Sequence, residues 1–333
     1  MALSSIIDFI GKRRGGKIKI RRGFDIAVAG TPSQQIFDGP EISEVGLLAT
    51  DYPGVHIDMR VGAGDRVALG DVVFADRRRP AIKITAPGGG IVTEVIARDW
   101  RSGAHACVIR LDGDAAKEFD VSGVASDRVR AQALLLDSGL WSGLTERPFG
   151  RIPDPGAVPA AIFVTAVDTH PLAADPQVVI SAARDAFDVG LGVLRTLTDG
   201  PVHLCQGPGP MLAPDAVIFD GPHPAGLPGT HIHHLHGTGS PVWHLDYQDT
   251  VAIGRLFTTG TLPVERVVAL AGPGVRAPRL LRTRAGASLD ELTRDQLVDG
   301  DLRIISGSVL AGRQDRYLGR HHLQVSVLFE GWD

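Results

Sequence analysis

One heptapeptide restricts the fold of this chain more than any other part of it. Residues 161–167, Ala-Ile-Phe-Val-Thr-Ala-Val, are apolar almost without interruption. A strand with one wet face alternates apolar and polar side chains. A strand apolar on both faces is buried on both, as in a parallel sheet covered by helices. The sequence that follows agrees. Ile180, Ala183, Phe187, Leu191 and Leu194 fall on one helical stripe within 177–199, and Gly200 stands where a helix would stop. Val202–Cys205 and Val217–Phe219 read as further short strands, and Tyr247–Thr259 as a helix closed by Gly260. Residues 158–261 are therefore expected to form a Rossmann-like α/β domain.

The period changes on either side. Residues 40–112 carry short alternating runs broken by glycines, with two Gly-Asp turns at Gly64-Asp65 and Gly70-Asp71. This pattern resembles the barrel-sandwich module of biotinyl and lipoyl carriers and assigns 23–112 to such a β domain. The carriers place a modified lysine at a hairpin tip. Here the tip is Ala86-Pro87-Gly88-Gly89-Gly90, so the fold is expected without the carrier chemistry. Residues 113–157 read as a connector, with a helix near 127–140 carrying Leu134–Leu136, then prolines at 148, 153 and 155 and again at 159. Residues 262–333 carry strands at Val267–Leu270, Ile304-Ile305 and Val325–Phe329, and a capping box from Ser288 to Glu291. That fits a β-grasp, SLBB-like domain. The fold class is thus α/β multidomain, built of a barrel-sandwich β domain, a Rossmann-like domain and a β-grasp domain.

Composition narrows the chemistry. The chain has 333 residues and a net charge of −4, which argues against a nucleic-acid-binding protein. It has only two cysteines, Cys107 and Cys205, too few for a Cys-rich zinc site or a four-Cys iron–sulfur cluster. No apolar run approaches the ~20 residues that span a bilayer, so the chain is expected to be soluble or membrane-peripheral. The N-terminus points to the second. Leu3, Ile6, Ile7 and Ile10 lie on one helical face, and seven basic residues follow between Lys12 and Arg22. A secretory signal has its charges first; this reversed order reads as an interfacial amphipathic segment over 1–22, or as a helix docked on its own protein.

Half of the twelve histidines fall between His223 and His244, in a stretch whose glycines and prolines predict an irregular loop. Three readings stay open. His231, His233, His234 and His236 have the spacing to bind metal if the segment is a strand. They are equally suited to bonding backbone carbonyls. Or a quinone pocket is formed, with His223, His231, His233, Trp243 and His244 as candidates, since a quinone needs donors at its carbonyls and apolar or aromatic walls. Asp168 and His170 follow the buried strand, where ligands of open α/β sheets bind or where a loop caps the next helix. No catalytic residue and no metal ligand is assigned. Gly207-Pro208-Gly209-Pro210 is a poor phosphate cradle because proline has no amide to donate.

Six stretches resemble one family: IKIRRGFDIAVAG at 18–30, DTHPLAADP at 168–176, GPHPAGLPGTHIHHL at 221–235, VWHLDYQDTVAIGRLFTTG at 242–260, RVVALAGPGVRAPRLLRTRAGASLDEL at 266–292 and RIISGSVLAGR at 303–313. They are similar to the A subunits of the bacterial sodium-translocating NADH:quinone oxidoreductases. The resemblance implies a peripheral subunit on the cytoplasmic face of the inner membrane. It implies a body like the flavin-binding subunit of complex I, and like its counterpart in the Rnf complex, but without FMN or iron–sulfur cluster. It implies partnership with the other subunits, above all those in the membrane. The complex as a whole moves electrons from NADH to ubiquinone and sodium outward; ubiquinone is the ligand the resemblance implies for this chain. Relative to the family pattern, about sixteen residues precede the matching start, and the family's further C-terminal domain, which would follow Asp333, is expected to be absent. The expected function is a cofactor-free subunit of that enzyme, not catalytic when isolated. The alternatives are a ligand-free assembly scaffold and a His-cluster metal protein.

Overall fold

The computed structural model describes residues 16–95, 105–237 and 239–331. The β module pairs a four-stranded sheet with a three-stranded one. The first runs β3 (Glu44–Leu48), β9 (His105–Leu111), β8 (Gly90–Val95), β5 (Arg66–Val67); the second runs β4 (Ile57–Met59), β6 (Val72–Asp76), β7 (Lys83–Thr85). Val45, Val73, Phe74, Ile82, Val92 and Ile109 fill the space between them. Both Gly-Asp turns form as the sequence predicts. Gly64 and Gly70 have φ of +94° and +87°, and each following aspartate accepts a backbone N–H three residues earlier: Gly62 to Asp65 at 2.7 Å, Ala68 to Asp71 at 2.8 Å. The carrier-like tip is not free. Residues 86–90 are buried, and Arg284 donates to the Pro87 carbonyl at 2.8 Å.

The α/β sheet has the order β1 (Lys17–Lys19), β13 (Val217–Asp220), β12 (Val202–Gln206), β11 (Ile162–Ala166), β14 (Val242–Asp246), β10 (Thr145–Arg147). All neighbours are parallel except β10, antiparallel to β14. The apolar heptapeptide is β11 and its flanks, buried on both faces. Ile162, Val164 and Ala166 join the core under α3 (Arg184–Thr196) and α5 (Tyr247–Thr259). Ala161 and Phe163 join a separate cluster with Ile232 of α4 (Pro228–Leu235). The connector supplies α1 (Arg128–Ser138), with Asp127 accepting from the amides of Val129 and Arg130 and Gly139 ending the helix at φ +81°.

The third sheet runs β17 (Leu302–Ser306), β18 (Gln324–Phe329), β15 (Glu265–Ala271), β16 (Arg279–Arg284), β2 (Ser33–Asp38), with the single turn α6 (Leu289–Leu292) beside it. Two short strands near the N-terminus thus serve other layers: β1 edges the α/β sheet and β2 edges the β-grasp sheet.

Several expectations are corrected. The stripe over 177–199 is two helices, α2 (Pro176–Ser181) and α3, because Ala183 leaves helical geometry at φ −140°, ψ 37°. Gly200 is not the helix stop. It is required because a Cβ there would lie 1.8 Å from the Ala160 carbonyl oxygen. The capping box forms by half: Ser288 accepts from the Glu291 amide, but the Glu291 carboxylate accepts from the Ser43 and Glu44 amides instead. The histidine stretch is not an irregular loop throughout. It contains α4 and β14, because Pro228 occupies the first helical position, where its missing N–H costs nothing, and buried Ile232 anchors the helix. The apolar face at Leu3–Ile10 and the bases Lys12, Arg13 and Arg14 lie outside the described residues.

Candidate functional site

The chain leaves β11 in one direction toward β12 and β13, and returns on the other side of β11 as β14. The boundary between β11 and β14 is therefore where the strand order reverses. In open α/β sheets ligands bind outside the carboxyl ends of the strands at that point. A cavity of about 250 Å³ lies there. Its floor is Thr165, Val167, His244 and Asp246; its roof is Ser308, His321, His322 and Gln324 from the β-grasp domain. The walls are mainly apolar, with Val167, Leu227, Pro228, Leu245 and Leu323 among them.

Its polar groups have distinct states. Burial, with the Arg147 guanidinium nearby, pushes His244 down to about 3, so its imidazole is neutral at physiological pH. His321 lines the cavity but is exposed, and the neighbouring protein and the Arg320 guanidinium lower its proton affinity. His322 is pushed down to about 4 by burial and shares a hydrogen bond with Ser306 Oγ at 2.8 Å. His170 goes the other way: its Nδ1 lies 2.7 Å from the Asp168 carboxylate, which raises its proton affinity. Thr165 Oγ1 is buried and has no protein partner among the described residues. Asp246 is pushed up to about 6 by burial and by neighbouring Asp249.

Behind the cavity lies a buried ion network. Asp249 of α5 accepts from Arg266 of β15 at 2.6 Å and from Arg320 at 2.8 Å. Burial alone would raise Asp249, but the two guanidiniums outweigh it and hold the carboxyl down at about 2. The Arg320 amide donates to Asp51 of the β module at 2.8 Å, and Arg313 donates to the same carboxylate at 2.6 Å. All three layers meet in this network.

The candidates read from sequence separate into three groups. His244, Asp168 and His170 line the cavity. His223 stands beside it, its Nδ1 3.1 Å from Thr169 Oγ1 and its ring centroid 5.2 Å from that of His170. Trp243, His231 and His233 do not line it. Trp243 alternates with His244 and points to the opposite sheet face, where its ring meets Trp141 at 5.2 Å. His231 and His233 share no face because the segment is helical, and residues two apart on a helix diverge. His231 is buried against Phe219, its Nε2 2.9 Å from the Ala225 carbonyl oxygen, whereas His233 is exposed. Among the described residues no group of three or more His, Cys, Asp or Glu could hold a metal ion. Sequence reasoning missed Thr165 and the pair His321-His322. The doubled histidine was visible, but nothing in the sequence brings it over two strands, one about 80 and the other about 155 residues earlier.

Three family models match successive parts of the chain: the NqrA N-terminal barrel-sandwich hybrid domain at 18–112, the NqrA second alpha/beta domain at 125–262 and the NQRA C-terminal domain at 267–316. Curated relatives include the A subunit of the Na(+)-translocating NADH-quinone reductase of Pseudomonas aeruginosa strain PAO1, 50% identical over 94% of this chain and 74% of its own length. The equivalent protein of Klebsiella pneumoniae strain 342 is 48% identical over the same shares. Among solved structures, the NAD+-reducing NiFe-hydrogenase in the air-oxidized state overlays with a TM-score of 0.46 at 15% identity, covering 62% of this chain and 47% of that one.

Proposed function

The chain belongs to the NqrA family, the A subunits of the Na(+)-translocating NADH-quinone reductase complex, and from that membership we propose a peripheral subunit that receives a ubiquinone head at the β11/β14 cavity. It sits on the cytoplasmic side of the inner membrane, against the membrane subunits, and organises that side of the complex. Among the described residues no helix is long and apolar enough to cross a membrane.

The observation that carries this reading is the cavity at the strand-order reversal, apolar in its walls and supplied with neutral donors. A quinone carbonyl accepts a hydrogen bond, and a neutral donor supplies it without the cost of burying a charge. His244 offers a neutral imidazole, and Thr165 a hydroxyl with no protein partner among the described residues. His170, charged more readily through Asp168, is the group at the rim best suited to hand over a proton as the quinone is reduced. The volume suits a ring and its substituents rather than a whole polyprenyl tail; drug-sized ligands occupy roughly 300–1,000 Å³.

In this reading the protein holds no tightly bound FMN or iron–sulfur cluster. The two cysteines support it. Cys107 lies in the β module and Cys205 in the α/β sheet, and burial pushes the first up to about 12 and raises the second, so neither is a ready thiolate ligand. A flavin or cluster absorbance band in the purified chain would contradict it.

The test of the quinone site is a titration of the purified chain with a soluble ubiquinone analogue, followed by tryptophan fluorescence. We expect a saturable change, weakened about tenfold or more in His244→Ala by loss of a hydrogen-bonding wall group, and unaltered in His233→Ala. Absence of any saturable change hands the chain to the scaffold reading, which the three-layer ion network also suits.

A further inference from the structure

We propose that the β1/α4 edge of the α/β sheet is the face on which this protein rests on anionic phospholipid headgroups; this builds on the peripheral reading above and names its contact surface. Seven of the chain's 34 lysines and arginines stand between Lys12 and Arg22, with no acidic residue among them, in a protein whose net charge is −4. Lys19, Arg21, Arg22, His233 and His234 line one open groove of about 510 Å³.

This part of the chain is held in place. The Ile20 amide donates to Asp220 at 2.8 Å and the Phe24 amide to His223 at 3.1 Å. Gly23, at φ +146°, lets the backbone lie where a Cβ would stand 2.0 Å from the His223 carbonyl oxygen. The nearby acids are engaged: Asp220 with Lys17 at 2.7 Å, and Asp25 with the His223 amide at 3.0 Å. Arg21 and Arg22 form no ion pair among the described residues. Immediately after them Phe24 is 71% exposed and Ile26 is 38% exposed. Fixed cations beside a projecting aromatic ring match a lipid interface, where the ring enters the headgroup region and the cations meet phosphates. An acidic protein segment would satisfy the cations alone. The sequence leading into this edge, with Leu3, Ile6, Ile7 and Ile10 at helical spacing, has the same chemistry.

The experiment is co-sedimentation of the full chain with phosphatidylcholine vesicles, with and without phosphatidylglycerol. Wild type is expected to bind only the anionic vesicles. Arg21→Glu/Arg22→Glu should lower the partition coefficient about tenfold or more, and Phe24→Ser by about threefold. Raising the salt should act like the charge reversal. All three residues are exposed, so melting temperatures should be unchanged; Arg21→Gln/Arg22→Gln serves if the reversal misfolds. A chain lacking residues 2–15 should keep its preference for anionic vesicles. Unchanged binding in the charge-reversed variant, equal binding to neutral vesicles, or loss of all preference on that deletion would overturn the proposal. So would failure to bind either vesicle together with release of the charge-reversed variant from the detergent-solubilised complex, which would assign the groove to an acidic protein partner. A wild-type chain that fails to co-purify with membrane subunits would instead sink the peripheral reading, whatever the vesicles show.

Discussion

His231 sits on the inner side of α4, fully buried, its ring centroid 4.3 Å from that of Phe219. Burial pushes its proton affinity down to about 4. Linkage then fixes a sign. Below an unfolded value of about 6.5 the unfolded chain takes a proton that the native histidine refuses, so stability falls as pH falls from about 6.5 to about 4. His244 and His322 act in the same direction. Asp246, raised to about 6, opposes them, because there the native state takes up the proton first. His203 and His321 are lowered as well, and of the groups in these layers only His170 joins Asp246 in opposing them, so acidification leaves a net loss. Urea unfolding at about pH 7, 5.5 and 4.5 should show it, and His231→Gln should flatten the slope by up to ~1.4 kcal/mol per pH unit. An unchanged slope would mean that this ring is protonated in the fold. That His231 is a core residue was not legible in sequence: its i, i+2 relation to His233 means one face on a strand and divergence on a helix.

Helices α3 and α5 cross with almost no side chain between them. A Cβ on Gly254 would lie 1.7 Å from the Ala186 carbonyl oxygen, and one on Gly190 would lie 2.0 Å from that of Thr250. Gly192, two residues further along α3, has nothing within 4 Å of such a Cβ. The two alanine substitutions should therefore have opposite signs. Gly192→Ala gains helix propensity of about 0.5–1 kcal/mol. Gly254→Ala gains the same propensity but forces two backbones apart, an overpacking cost of typically about 1–3 kcal/mol or more, and should be net destabilising. Denaturant midpoints would decide, and a stabilised Gly254→Ala would refute the close crossing. In sequence these glycines are equivalent weaknesses in a helical stripe. The stripe marks which residues face the core, but not how near the neighbouring helix comes.

At the scale of the whole molecule, the ion network ties the layers together. Asp249 is 3% exposed and neutralises Arg266 and Arg320, while Arg320 and Arg313 also hold Asp51 of the β module. Asp249→Ala leaves two guanidiniums without their carboxylate and should cost ~3–5 kcal/mol in urea unfolding. Removing the exposed Lys17–Asp220 pair should cost below about 1 kcal/mol. Similar costs for the two would mean that water reaches Asp249. Because Asp246 and His321 line the cavity and adjoin this network, loosening the network should also disturb the cavity.

Hydrophobic period, turn chemistry and caps are local, and the sequence alone determined what depends on them. It marked β11 as buried on both faces, the Gly-Asp turns of the β module, the helix near 127–140 and the three-part fold, because each depends on neighbours a few residues away. Only the tertiary structure decided which sheets β1 and β2 would edge, that the carrier-like tip would be sealed under Arg284, and that His321 and His322 would roof a cavity floored by Thr165 and His244. Those outcomes depend on contacts between residues far apart in the chain, set by how whole layers pack, and no local pattern encodes them.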